Sequence, residues 1–133
     1  MSNISTYLAD ALLGHYLGVA AYTAPTPYVA LFTTMPTMPA GTGAVEVSTT
    51  STGYARVALG TDMGAPASGS CANTASITFP TATASWGTVV GVGIYDAATA
   101  GNLLEAITLS ASQTVASGGQ IIFTAGNFSS ALS

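Results

Sequence analysis

The chain has 133 residues, 49% of them apolar and only 5% charged, with one Arg, no Lys, five acids and a formal net charge of -4. That length suits a single domain with a real core, and the apolar content excludes charge-driven disorder. A lone cation cannot neutralise a row of phosphates, so nucleic-acid binding and attraction to anionic membranes are excluded, and no apolar run approaches the roughly 18 residues that a membrane-spanning helix needs.

So little charge gives weak repulsion between copies, which points to a subunit that is covered in an assembly. The start, Met1-Ser2-Asn3-Ile4, lacks the basic residue and apolar stretch of a secretory signal, so synthesis in a cytoplasm is expected.

Residues 1–133 are expected to form one domain, with an N-terminal helical segment over 1–18 and a β-sandwich over 28–133. Ile4, Leu8, Leu12 and Tyr16 recur at steps of four and predict a helix over 4–17. Asn3, Ser2 or Ser5 can cap its start, and Gly14 and Gly18 weaken and then end it. The apolar stripe has two readings: packing on the domain's own sheet, or docking on a neighbouring subunit.

After Pro25 and Pro27 the pattern changes to short strands. Tyr28–Thr33 comes first, then a loop over 35–43 with Met35, Pro36, Met38 and Pro39. A short strand over 45–48 and an alternating one over 54–59 follow. Residues 60–73, rich in Gly, Ala and Ser, read as a loop that holds Cys71. Further strands are expected over 76–79, 86–95, 103–109, 113–115 and 120–124, with an edge strand over 127–132. Gly91 and Gly93 inside the long Val/Gly strand signal a bulge or a close backbone approach. Asp96–Asn102 reads as a hairpin loop. About eight short strands separated by turns predict an all-β fold, an antiparallel sandwich or jelly roll with one N-terminal helix.

The inventory of reactive groups is thin. His15 is the lone histidine and Cys71 the lone cysteine, which leaves no disulfide and no zinc cluster. No Gly-x-Ser-x-Gly elbow accompanies His15. The acids are scattered, without the spacing of a calcium loop. Glu46 and Glu105 are the one pair in which a glycosidase mechanism is conceivable. Gly91-Val92-Gly93 lacks the third glycine of a dinucleotide fingerprint. No catalytic, cofactor-binding or metal-ligating residue is expected, and no cofactor. Arg56, the lone cation, is expected to pair with one of the five acids or to bridge to another subunit. Trp86 is expected in the core, with host contact as the alternative.

Several segments in order resemble a known family. They are Leu8–His15, Tyr22–Pro25, Tyr28–Thr33, Gly41–Gly43, Glu46–Ser48, Gly53–Val57, Ile77–Pro80, Ala84–Val89, Gly93–Ala97 and Gly101–Leu104. Together they resemble a family of small bacteriophage virion proteins, commonly labelled tail-fibre-like or capsid decoration proteins. The chain departs from that family in having no basic residue in its first helix.

The resemblance implies a virion location on the exterior of a phage particle, contacts with other virion proteins and no catalytic residues. The expected function is therefore a non-enzymatic capsid decoration or cement subunit, with a tail-fibre or tail-tip subunit as the alternative. A homo-oligomer, dimer or trimer, is expected. The residues expected at interfaces are Ile4, Leu8, Leu12, Tyr16, Met35, Met38 and Arg56.

Overall fold

A computed structural model describes residues 3–132. The described residues form one helix, α1 (Thr6–Tyr16), and nine strands: β1 (Tyr28–Thr34), β2 (Val45–Glu46), β3 (Val57–Ala58), β4 (Ser70–Ala72), β5 (Ile77–Thr78), β6 (Gly87–Tyr95), β7 (Leu103–Val115), β8 (Ile122–Phe123) and β9 (Ser129–Ala131). The fold is all-β with one N-terminal helix, and all the paired strands are antiparallel.

Ser5 caps α1, its hydroxyl accepting from the Leu8 N–H at 3.1 Å. Asn3 is not the cap, and Ser2 lies outside the described residues. The helix starts later than expected because Ile4 is drawn into a β-bridge with Glu105. It stops at Gly18, whose φ of +77° favours glycine, and the Tyr22 N–H donates to His15 Nδ1 just beyond.

The main sheet runs β2-β1-β6-β7, with β3 also paired to β1. β1 and β6 are central, and residues 29–32 are buried on both faces. Val29 and Leu31 enter the core, while Ala30 and Phe32 face the other way. There the expected close approach at Gly91 and Gly93 is realised. A Cβ on Gly93 would sit 2.5 Å from Phe32 Cζ, and one on Gly91 would overlap Met35 Sδ at 2.0 Å. Gly93→Ala is therefore expected to cost about 1–3 kcal/mol by overpacking. Thermal unfolding checks this, and adding Phe32→Leu should recover part of the loss.

β6 and β7 are joined by the expected hairpin. Asp96 closes it by accepting from the Asn102 backbone at 2.7 Å and from the Asn102 amide at 3.0 Å. The Asn102 side-chain amide, helped by its backbone N–H, holds the Asp96 carboxyl below its ordinary range. β7 is one 13-residue strand where two were expected. The interruption is a bulge: Gly91 faces Thr108 and Val89 faces Gln113, so the four residues 109–112 of β7 stand opposite Val90 alone.

The opposite layer pairs β4 with β9 and β5 with β8. These are two pieces of one long ribbon, residues 70–78 against 122–131, and the break between them is filled by Asn73. Its amide donates to the carbonyls of Ala75, Phe123 and Thr124, and its Oδ1 accepts from Gly126 and Phe128 N–H groups, all at 2.9–3.1 Å. Cys71, expected in a loop, lies on β4 and donates its thiol to the Gly64 carbonyl.

Ile77, Phe79, Ile121 and Phe128 from this layer meet Val29, Leu31, Val89 and Val92 from the main sheet. Phe79 stacks on Tyr54 and meets Phe123 edge-on. Trp86 is core, as expected, with its indole N–H donated to the Thr52 carbonyl at 2.9 Å. This burial takes Trp86 out of consideration as a surface contact residue.

Candidate functional site

The densest polar cluster is built around Arg56. β1 carries β2 and β3 on one flank, at its two ends, and this brings Glu46 of β2 close to Arg56, the residue before β3. Arg56 Nε and Nη2 grip the two Glu46 oxygens at 2.9 and 2.8 Å. Its Nη1 reaches across to the Ala97 and Ala100 carbonyls, each at 2.8 Å, and so pins the β6–β7 hairpin. The guanidinium carbon lies 3.8 Å over the Tyr95 ring, a stacked cation–π contact. Tyr54 donates its hydroxyl to Glu46 at 2.6 Å and accepts from the Leu31 N–H at 3.0 Å. Burial, followed by the bond to the Glu46 carboxylate, pushes the Tyr54 hydroxyl far up, so it stays protonated.

Arg56 thus pairs with an acid of its own chain, as one of the two expectations had it. A hollow of about 370 Å³ lies beside it, lined by Glu46, Thr49, Arg56 and Ala98–Ala100. The cluster braces a loop and converges on no open reactive atom. A second groove, of about 580 Å³, opens between the β7 bulge and the β8–β9 strands. Ile107, Leu109 and Phe123 are among its lining residues, and none of those residues is ionisable.

The other candidates for chemistry are dispersed. His15 is exposed on α1 and accepts from the Tyr22 backbone. Glu46 and Glu105 lie on opposite edge strands of the main sheet, three strand spacings or roughly 14 Å apart. A pair of hydrolytic carboxylates stands closer, at about 5–9.5 Å. Among the described residues no group of three or more His, Cys, Asp or Glu is gathered to hold a metal, and no helix is long and apolar enough to cross a membrane.

The residues expected at interfaces fall into different settings. Ile4 is half-buried beside β7, outside the helix. Leu8 is half-buried and packs on the core, and Leu12 is half-buried on the same side of α1. Met35 and Met38 are half-buried, Met35 lying against Gly91. Tyr16 is open to solvent, at 70% exposure.

Tyr16 is joined there by residues that the i+4 stripe did not include: Tyr7, Leu13, Leu17 and Val19, the last 81% exposed. The sequence does hold the signal for them, since α1 is apolar around most of its circumference. Such a helix is normally buried, yet no residue of α1 is fully buried in this chain.

A family model described as Podophage GP4 fiber I protein gp80 matches residues 3–131. No curated protein matches the chain. That match spans the helix, both layers and the Arg56 cluster, and it agrees with the phage resemblance carried by the ordered segments. The chain therefore belongs to the family of the Podophage GP4 fiber I protein gp80, and it is a structural component of a bacteriophage virion.

Proposed function

We propose that this chain is a non-enzymatic fibre subunit that attaches to its neighbours in the virion through the outer side of α1 and the turn that follows. The observation that carries this is an uncovered apolar set: Tyr7, Leu13 and Tyr16 on a helix apolar nearly all round, and Leu17 and Val19 in the turn that follows. So many large apolar residues left open on one short helix and its following turn favour an interaction surface. The neighbours are other virion proteins, copies of this chain included, and the low charge favours a homo-oligomer on the particle exterior. The family's description as a fibre protein favours this reading over capsid cementing. The non-enzymatic part is supported by the dispersal of His15, Glu46 and Glu105.

Cryo-electron microscopy of the intact particle tests the reading. The expected result is sandwich-shaped density in a fibre, with α1 covered by another chain. Density repeated over the capsid surface would restore the decoration role, and α1 left facing solvent in the particle would sink the docking role. Leu17→Lys combined with Val19→Lys is expected to leave the melting temperature within a few degrees, since surface changes cost little. The same pair should reduce incorporation into particles at least tenfold, read by quantitative immunoblotting of purified virions.

A further inference from the structure

Glu105 is a carboxyl enclosed between residues 3–5 and β9. It lies on β7 and is only 3% exposed. Residues directly opposite in neighbouring antiparallel strands project to the same side. Its lateral neighbours are therefore Ile94 of β6 and Ile4 of the N-terminal segment, both apolar. From the opposite layer, Ser130 of β9 donates its hydroxyl to Oε2 at 2.9 Å. Oε1 is buried without a hydrogen-bond partner.

Among the described residues no cation compensates this group. Arg56 is bound to Glu46 at the far edge of the sheet, and His15 is exposed on α1. The N-terminal segment offers Asn3, Ile4 and Ser5, β6 offers Ile94, and β9 offers Ser129, Ser130 and Ala131. Cys71 of β4 stands across the ladder from Ser130. None of these carries a charge towards Glu105.

We propose that Glu105 is a proton-operated latch: uncharged, it holds the N-terminal segment and β9 against the body, and ionised, it lets them lift. A carboxylate in this position needs water, and a lone buried charge is costly. The thinnest covers are residues 3–5 and β9. Asn3–Ser5 is held to β7 by Ser5 N–H to the Leu104 carbonyl and Ala106 N–H to the Asn3 carbonyl, at 2.9 and 3.0 Å. β9 has three residues, paired to β4 alone among the strands. α1 continues from Ser5, so it moves with the N-terminal segment.

Burial pushes the carboxyl above its ordinary value of 4.5, with Ser130 and Ala131 pulling partly back. The closed form therefore binds the proton more tightly than the open form. Its stability is complete below that ordinary value and is lost as pH rises through the raised one. The latch works whatever α1 docks onto.

The test is amide hydrogen exchange of the full chain between pH 4 and 9, expressed as protection relative to the intrinsic exchange rate. Protection of the Ser5, Ala106 and Leu132 amides is expected to fall by up to about tenfold per pH unit above the raised value, where opening is coupled to loss of one proton. The Leu31 and Val47 amides, deep in the main sheet, should hold constant. In Glu105→Gln the end amides should show pH-independent protection. Flat end protection in the wild type, or a surviving fall in Glu105→Gln, overturns the latch. Should Glu105→Gln not fold, carboxyl titration of the wild type by carbon-13 NMR decides: a raised value that moves with the end amides supports the latch, and titration at the ordinary glutamate value refutes it.

Discussion

Replacing Arg56 by Ala is expected to cost about 3 kcal/mol, a fall in melting temperature of roughly 10 °C for a domain of this size. The Arg56 side chain is 7% exposed and that of Glu46 is 24% exposed. An exposed ion pair would be worth less than about 1 kcal/mol, and removing one partner of a fully buried pair would cost about 3–5 kcal/mol. The pair lies nearer the buried limit, but water still reaches Glu46, which places the effect at the low end of that range. Three losses combine: a two-pronged bond to the carboxylate, two carbonyl contacts from the hairpin and the stacking on Tyr95. A double-mutant cycle with Glu46→Gln separates them. Glu46→Gln alone should cost less, because the hairpin contacts and the stacking survive. Arg56→Lys should not rescue, since an ammonium cannot grip both oxygens and both carbonyls at once. A loss below about 1 kcal/mol for Arg56→Ala would mean that the cluster behaves as an ordinary surface pair.

Asn73→Ala is the second large effect, expected at about 3–5 kcal/mol. One buried amide serves five backbone groups, and each net hydrogen bond is worth about 1 kcal/mol, more where a buried donor is stranded. The Gly126 and Phe128 N–H groups would lose the Oδ1 acceptor, and the Phe123 and Thr124 carbonyls would lose a donor. Urea denaturation should show a lower midpoint with an unchanged slope. Asn73→Asp keeps the acceptor but loses the three donor bonds and sets a buried carboxylate against three carbonyl oxygens, so at neutral pH it should be no more stable than Ala. Equal stability of wild type and Asn73→Ala would show that water replaces the clamp without cost.

Much of this was legible in the sequence because it depended on local grammar. The helix, the Val/Gly strand, the Asp96–Asn102 hairpin and the buried Trp86 all announce themselves by period, turn chemistry or size. The glycines at 91 and 93 forecast the close approach, although nothing local named Phe32 and Met35 as the atoms that approach. β4 was hidden because Ser70-Cys71-Ala72 has neither branched side chains nor clear alternation, and its strand state is imposed by β9 from 59 residues away. Asn73 read as loop filler because its partners lie near residues 75 and 123–128. β7 looked like two strands because the bulge at 109–112 breaks the period while the pairing continues beyond it. Of the stripe Ile4, Leu8, Leu12, Tyr16, only Leu8 and Leu12 lie on the inward side of α1: Ile4 precedes the helix and Tyr16 is exposed with Tyr7 and Leu13. Periodicity finds the face that a helix turns inward, and a helix apolar nearly all round has a second face for which a single chain provides no cover.

The internal position of Arg56 has a consequence for how the particle meets its surroundings. With the chain's one Arg turned inward and no Lys anywhere, the subunit has no strong cation to offer a neighbour's carboxylate. On the proposed docking, contacts between copies are expected to use apolar and hydroxyl surfaces, which mobile ions do not screen. At 0.1 M salt exposed charges cease to feel one another beyond roughly 10 Å, and joints held by ion pairs loosen accordingly. On the proposed docking, joints between copies of this subunit are expected to carry little of that dependence, so their strength should change little between dilute water and brine.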